Sequence, residues 1–237
     1  RKLVIPAFRT ILASNIIFVL ALLTKLLAGK FTWLTPFSWF FFALCVLGGV
    51  IFLLFRLFLF SKVPVMGAND NLAGVSVAVA AARRFAQHRP QGTEVWAVSF
   101  GAEECGLRGS KRFAARHHIE LSNAYLVNIE MVGAGSMIVV AGEKSAGTKH
   151  SPEVVSLIVE AARRCGIVVP TVVAPFGETD ATPFTRLRLK ASTLAAIDDQ
   201  NFPPNWHVFD DVPENVDEAK LLNALKICVE YVNMLEK

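Results

Sequence analysis

Hydrophobic positions fall into two regimes along this chain. Up to residue 60 they run almost without interruption; beyond it they alternate or recur at helical spacing between short polar turns. In the first regime, residues 11–28 are apolar apart from one Asn and one Lys, and residues 37–60 carry a single Arg in 24 positions. A membrane span needs roughly 20 consecutive apolar residues, and a buried helix of a soluble core rarely runs that long with one charge. The expectation over residues 1–62 is therefore two transmembrane helices with a short turn, rather than a buried core hairpin.

The second regime predicts alternating helices and strands. Residues 71–88 read as a helix with Asp70 or Asn69 as its cap, residues 94–100 (EVWAVSF) as a buried strand, and residues 107–118 as a helix. Residues 124–130 and 137–141 read as strands, 152–165 as a helix, 168–173 and 192–197 as strands, and 216–235 as a closing amphipathic helix. Such alternation predicts a three-layer α/β/α sandwich with a mostly parallel mixed sheet over residues 63–237. Residues 61–67 (SKVPVMG) read as the linker.

Charge sharpens this division. Of 24 Lys and Arg, six fall in residues 1–60, which contain no acid, so 18 bases face all 20 acids in the remainder. The net positive charge belongs to the apolar segment, and a basic surface for nucleic acid is not indicated. Arg1, Lys2, Arg9, Arg56 and Lys62 flank the outer ends of the two spans, against Lys25 and Lys30 at the turn, which places the following domain on the cytoplasmic side of the lipid bilayer. The start on Arg rather than Met, and the position of the apolar run, read as an anchored fragment rather than a secretory signal. The four cysteines have no spacing of a disulfide framework or a Cys-rich metal site.

In a parallel α/β sheet, ligands bind beyond the carboxyl ends of the strands, so polar residues there carry the chemistry. Asp70 lies in the turn GANDNLAG (67–74), Glu103 and Glu104 follow a strand in GAEECGLRG (101–109), and Glu130 ends a strand in VNIEMVG (127–133). A carboxylate at the end of an apolar strand must be solvated, paired or metal-bound. With His207 these acids form a donor set that zinc accepts, and one carboxylate can bridge two metals about 3.5–4 Å apart. Of two adjacent Glu, one ligates while the other stays free as a base. The residues alone leave helix capping and ordinary strand-end acids open as alternatives.

Taken together, GANDN-x-x-G, GAEE-x-G-x-x-GS, N-x-E-M-V-G and GETDATPF resemble the co-catalytic zinc exopeptidase family of bacterial leucyl aminopeptidases, glutamate carboxypeptidase and glutaminyl cyclases, over residues 65–218. The resemblance implies Asp70 as the bridging ligand, Glu103 as general base, Glu104 and His207 as ligands of one zinc, Glu130 as ligand of the other, and Asp180 as a support residue beside the site. It implies a membrane-anchored exopeptidase in which metal-activated water attacks a peptide substrate, an aminopeptidase before a carboxypeptidase. The latter would need a cation for the substrate carboxylate, with Arg186 and Arg188 as candidates.

Two departures stand out. Many members have Asp where this chain has Glu130, and the family's His-x-Asp word before the bridging Asp is missing, since no His lies between Arg1 and Asp70. The expected account is a membrane hairpin inserted after the first-His strand, which would then lie upstream of Arg1. Two zinc ions are expected in the full-length protein, and one complete set, Asp70, Glu104 and His207, in this chain. A single-zinc glutaminyl cyclase-like acyl transferase and a non-catalytic membrane receptor or scaffold are the alternatives. Cys105 is expected to be a small buried residue, and His150 a loop residue. Oligomeric state and substrate side-chain preference are not legible in these residues.

Overall fold

The computed structural model describes residues 4–59, 63–175 and 177–236. The chain divides into two compact units, Arg1–Pro64 and Val65–Lys237. In the first unit, α1 (Val4–Ala28) and α2 (Thr35–Leu59) are joined through a 3-10 turn at Thr32–Leu34 and pack against each other. Thr24 and Ser38 return their hydroxyls to backbone carbonyls of their own helices, which leaves the helix surfaces apolar. Phe18, Leu26, Trp33, Phe40 and Leu53 are exposed. Among the described residues, Thr32–Leu54 is the one helical stretch long and apolar enough to cross a membrane, and Ala13–Ala28 is shorter. Arg1, Lys2 and Lys62, on which the charge asymmetry partly rests, lie outside the described residues, as do Phe60 and Ser61 of the expected span end and linker.

The second unit is built from α3 (Ala73–Gln87), α4 (Arg108–His117), β1 (Tyr125–Glu130), β2 (Ser136–Glu143), β3 (Thr148–Lys149), α5 (Pro152–Arg164), β4 (Thr171–Ala174), α6 (Ala181–Arg186), β5 (Lys190–Ile197) and α7 (Glu218–Asn233). Strand period decides the two faces. Tyr125, Val127, Ile129, Met137, Val139 and Leu194 pack on one side with α3, α5 and α7, whose apolar stripes supply Val77, Ile158 and Ile227. Leu126 and Ala191 point the other way, onto Ala114 of α4 and Phe184 of α6. Helices thus cover both faces of the sheet.

The sheet is mixed: β1 lies parallel to β5 and β2 parallel to β4, while β2 runs antiparallel to both β5 and β3. The expected parallel majority is therefore not found among the described strands. Its cause is local, because β2 continues directly into the antiparallel β3 and pairs with β5 in the opposite sense. Caps explain several boundaries. Ser151 accepts the Val154 N–H at the start of α5, and Asp217 accepts the Ala219 N–H at the start of α7. The expected Asp70 or Asn69 cap on α3 is replaced by Asn71, whose Oδ1 accepts the Gly74 N–H at 3.2 Å.

Residues 94–100 correct a second expectation, since they form no strand and Trp96 and Val98 are exposed. A strand exists through a neighbour that takes its N–H and C=O groups, and none of the described strands pairs with this segment. Its apolar positions serve packing instead: Trp96 and Phe100 meet Phe113 of α4, and Phe100 also meets Phe184 of α6. Among the described residues the sheet ends on this side at β1, which pairs with β5.

Candidate metal centre

Asp70 owes its position to its neighbours. Asn69 is fully buried; its Oδ1 accepts the Gly133 N–H at 2.8 Å and its Nδ2 donates to the Pro204 carbonyl at 3.0 Å. Asn71 accepts the Met131 N–H at 3.0 Å and donates to the Ile129 carbonyl at 2.9 Å. These bonds fasten the turn on both sides of Asp70 to the end of β1. Gly74 is required by the same junction, because a Cβ there would collide with the Ile129 carbonyl oxygen and the Asn71 amide. The buried Asp211 carboxylate accepts the backbone N–H groups of Asn69, at 2.6 Å, and Asp70, at 3.1 Å. Asp211 thus holds the Asp70 backbone in place from 141 residues further along the chain.

Glu103 and Glu104 project from a loop folded back on itself. The Glu103 carbonyl accepts the N–H groups of Gly106 and Leu107 at 2.9 and 2.7 Å, and Gly109 N–H reaches Gly101 O at 3.1 Å. Gly109 must lack a side chain, since a Cβ would meet the Gly101 backbone. Leu107, in left-handed conformation at φ 59°, then opens α4. In this turn Cys105 is exposed, contrary to the expectation of burial, because the chain curls around the Glu103 carbonyl and leaves residue 105 outside.

His207 comes from the loop between β5 and α7, with its ring stacked on Trp206 at a centroid distance of 4.5 Å. Its Nε2 lies 2.9 Å from Glu104 Oε1 and 3.4 Å from Asp70 Oδ2. One ligand-type atom from each of Asp70, Glu104 and His207 lies within 4.8 Å of the others. Two carboxylates and an imidazole on one point are a chemically sound set for a divalent cation with an open position, so the residues fit zinc. Glu130 is buried at the end of β1 and stands outside this cluster, its Oε2 accepting a hydrogen bond from Asn128 Nδ2 at 2.9 Å. Asp180 is buried at the start of α6 and accepts a hydrogen bond from Ser110 of α4, so it braces two elements beside the site.

The acids repel one another. Burial first, then Glu104 and Asp211, push Asp70 up to about 6 despite the favourable His207. Burial and the charges of Glu104, Asp180 and Asp70 push Glu103 up to about 7. Glu130, fully buried, is pushed up to about 8, with Glu103, Asp70 and Asp180 adding to the effect of burial and Asn128 opposing it. Burial also raises Asp180, against the hydrogen bond from Ser110. Crowded carboxylates of one sign are what a cation relieves.

A stability prediction follows from the sign of these shifts. An acid whose folded value lies above its unfolded value binds more protons when folded, so its stabilising effect is present below the unfolded value and is lost as pH rises through the folded one. From ordinary values of 3.8 and 4.5 to folded values of about 6, 7 and 8, the zinc-free chain should lose thermal stability as pH rises. Added zinc should restore it most at the alkaline end, because ligands bind deprotonated. Melting curves across this range, with and without zinc, measure both; a zinc effect independent of pH would remove these carboxylates from the site.

The remaining histidines stand apart. His117 pairs with Glu120 at 2.6 Å, and His118 faces the Ala115 carbonyl. His150 is a loop residue, as expected, between β3 and α5, and it is buried beside Glu143.

Residues 57–232 match peptidase family M28, and the chain belongs to that family. The structure is similar to the aminopeptidase of Aneurinibacillus sp. strain AM-1, at 28% identity and TM-score 0.61, over 72% of this chain and 40% of that one. A zinc aminopeptidase from Bacillus subtilis is similar at 26% identity and TM-score 0.64, over 75% of this chain and 44% of its own. A Bacteroides thetaiotaomicron glutaminyl cyclase shares the fold at 22% identity and TM-score 0.56, over 71% of this chain and 63% of its own. A probable zinc metalloprotease of Pyrenophora tritici-repentis is 37% identical over 68 residues, which are 28% of this chain and 15% of that protein. The chain thus spans under half the length of these aminopeptidases and a small part of the fungal relative.

Proposed function

We propose that this chain carries the zinc centre of a membrane-anchored aminopeptidase that removes N-terminal residues from peptides. The observation that carries the reading is the convergence of Asp70, Glu104 and His207 on one point, with Glu103 next to Glu104 in the same turn. Family membership and the similarity to two aminopeptidases support the reaction class. Asp70, Glu104 and His207 would hold one zinc, and Asp70 and Glu130 would contribute to a second. A bound zinc supplies Lewis acidity, acidifying water and polarising the scissile carbonyl. The Glu103 carboxylate accepts the proton of the attacking water and delivers it to the leaving amine nitrogen as the C–N bond breaks. Asn69, Asn71 and Asp211 hold Asp70 still while this occurs.

The aminopeptidase reading is favoured over a carboxypeptidase by the similarity to two aminopeptidases, and of the two candidate cations for a substrate carboxylate, Arg186 is engaged by Glu178 at 3.3 Å. Residues 1–62 are read as the anchor because the surfaces of α1 and α2 are apolar and exposed, and the flanking Lys and Arg favour the cytoplasmic side for the domain that follows. The test is hydrolysis by the zinc-loaded full chain of paired peptides with free and acetylated N-termini. Release of the first residue only from the free peptide is expected. Loss of ammonia from a peptide with N-terminal Gln, without loss of a residue, would replace this reading with the single-zinc cyclase.

A further inference from the structure

Glu143, at the end of β2, is 1% exposed and takes no part in the Asp70, Glu104 and His207 cluster. A buried carboxylate persists only where donors satisfy it. Here Oε1 accepts the Thr179 N–H at 3.0 Å and the Thr179 hydroxyl at 2.7 Å, and lies 3.3 Å from His150 Nε2, while Oε2 accepts the Thr182 hydroxyl. Burial alone would raise this carboxyl, but the bonds from His150, Thr182 and Thr179 hold it below the ordinary range. It is an ionised, acceptor-only anchor in the core.

One of its bonds continues toward the site. Thr179 Oγ1 lies 2.7 Å from Thr193 Oγ1. The Thr179 hydrogen is committed to Glu143, so Thr193 must donate to Thr179, and a Thr193 lone pair faces Asn128 Nδ2 at 3.5 Å. Asn128 gives its other amide hydrogen to Glu130 Oε2 at 2.9 Å. The register of the parallel pair makes this possible, because Asn128 stands opposite Thr193 and Glu130 is two residues on, on the same face of β1. Thr193 is fully buried, shielded from bulk solvent.

We infer that Glu143 is a positioning residue for Glu130: through Thr179, Thr193 and Asn128 it fixes the direction of every donor in the chain, and so keeps an N–H edge, never a carbonyl, against the Glu130 carboxylate. Were the direction reversed, Thr193 would donate to Asn128 Oδ1, and that oxygen would face the ionised carboxylate that a zinc-ligating Glu130 must present, acceptor against acceptor. This rests on the proposed reading of Glu130 as a zinc ligand.

The experiment is zinc titration of the full chain, with zinc alone as the probe, on Thr193→Val, Thr179→Val, their double variant, Thr193→Ser and Glu130→Gln. Thr193→Val and Thr179→Val should each weaken the binding step that Glu130→Gln removes by about 10-fold, within the roughly 10–100-fold range of such outer partners. The double variant should lose no more than either single one, since both cut one chain, and Thr193→Ser should bind as the parent does. Parental binding by folded Val variants, while Glu130→Gln binds weakly, overturns the inference alone. An unchanged titration in Glu130→Gln overturns the reading of Glu130 and the inference with it. Failure of both Val variants to fold makes the chain a core element without a positioning role, and also overturns it.

Discussion

Glu103→Gln should lower peptide turnover by about 10²–10⁴-fold, the usual contribution of a positioned general base, while zinc content stays unchanged. The amide keeps the shape of the side chain and removes its basic oxygen. Glu103 suits the role because burial and the charges of Glu104, Asp180 and Asp70 push it up to about 7, so it can hold a proton at neutral pH and release it. It is not one of the three residues whose ligand atoms converge. Turnover and zinc stoichiometry on the same preparation separate the possibilities. Undiminished turnover would end the assignment of Glu103 as base, and loss of zinc would make it a ligand.

His207→Ala should have the opposite signature. Removing one of three converging donors should weaken zinc binding by more than the roughly 10–100-fold that an outer-shell partner costs, and turnover should fall with it. The metal-free protein should hardly notice. The His207 side chain is 48% exposed, so its contacts with Trp206, Glu104 and Asp70 are screened by solvent and its loss should change unfolding free energy by no more than about 1 kcal/mol. Competition titration with a zinc chelator and thermal melting of the metal-free form measure the two effects. A destabilised fold with intact zinc binding would mean that His207 supports the loop and does not ligate.

These two outcomes differ because the site is assembled from residues with different local roles. Glu103 and Glu104 are neighbours in one turn, yet only Glu104 reaches His207, 103 residues later in the chain. The turn separates them: its backbone bonds run to the Glu103 carbonyl, and Glu104 stands more than half exposed beyond it. The proposed division of work between base and ligand is therefore a property of the loop's fold as well as of its sequence.

Much was legible without coordinates. The long apolar runs and the helical and strand spacing of residues 124–130, 137–141 and 152–165 correspond to observed elements, because burial of one face leaves a periodic trace in the chain itself. The glycine- and acid-rich words make Asp70, Glu103, Glu104 and Glu130 candidates, His207 completes the donor set, and Asp70, Glu104 and His207 meet. Residues 94–100 show the limit of such reading. Their β pattern is real, but pairing requires a neighbour, and none of the described strands pairs with them.

What the sequence by itself determined was the local layer: which segments could be helix or strand, which turns needed glycine, and which acids stood at strand ends. What only the tertiary structure decided was which polar groups meet. Asp211 on the Asp70 backbone, Asn69 between Gly133 and Pro204, Thr179 on Glu143 and Asn128 against Thr193 are all long-range pairings. Hydrophobic burial is non-directional and leaves its mark as a repeat along the chain. A hydrogen bond is directional and acts over about 3 Å, so its partner is set by how the sheet and loops bring distant residues together, and no period in the sequence records it.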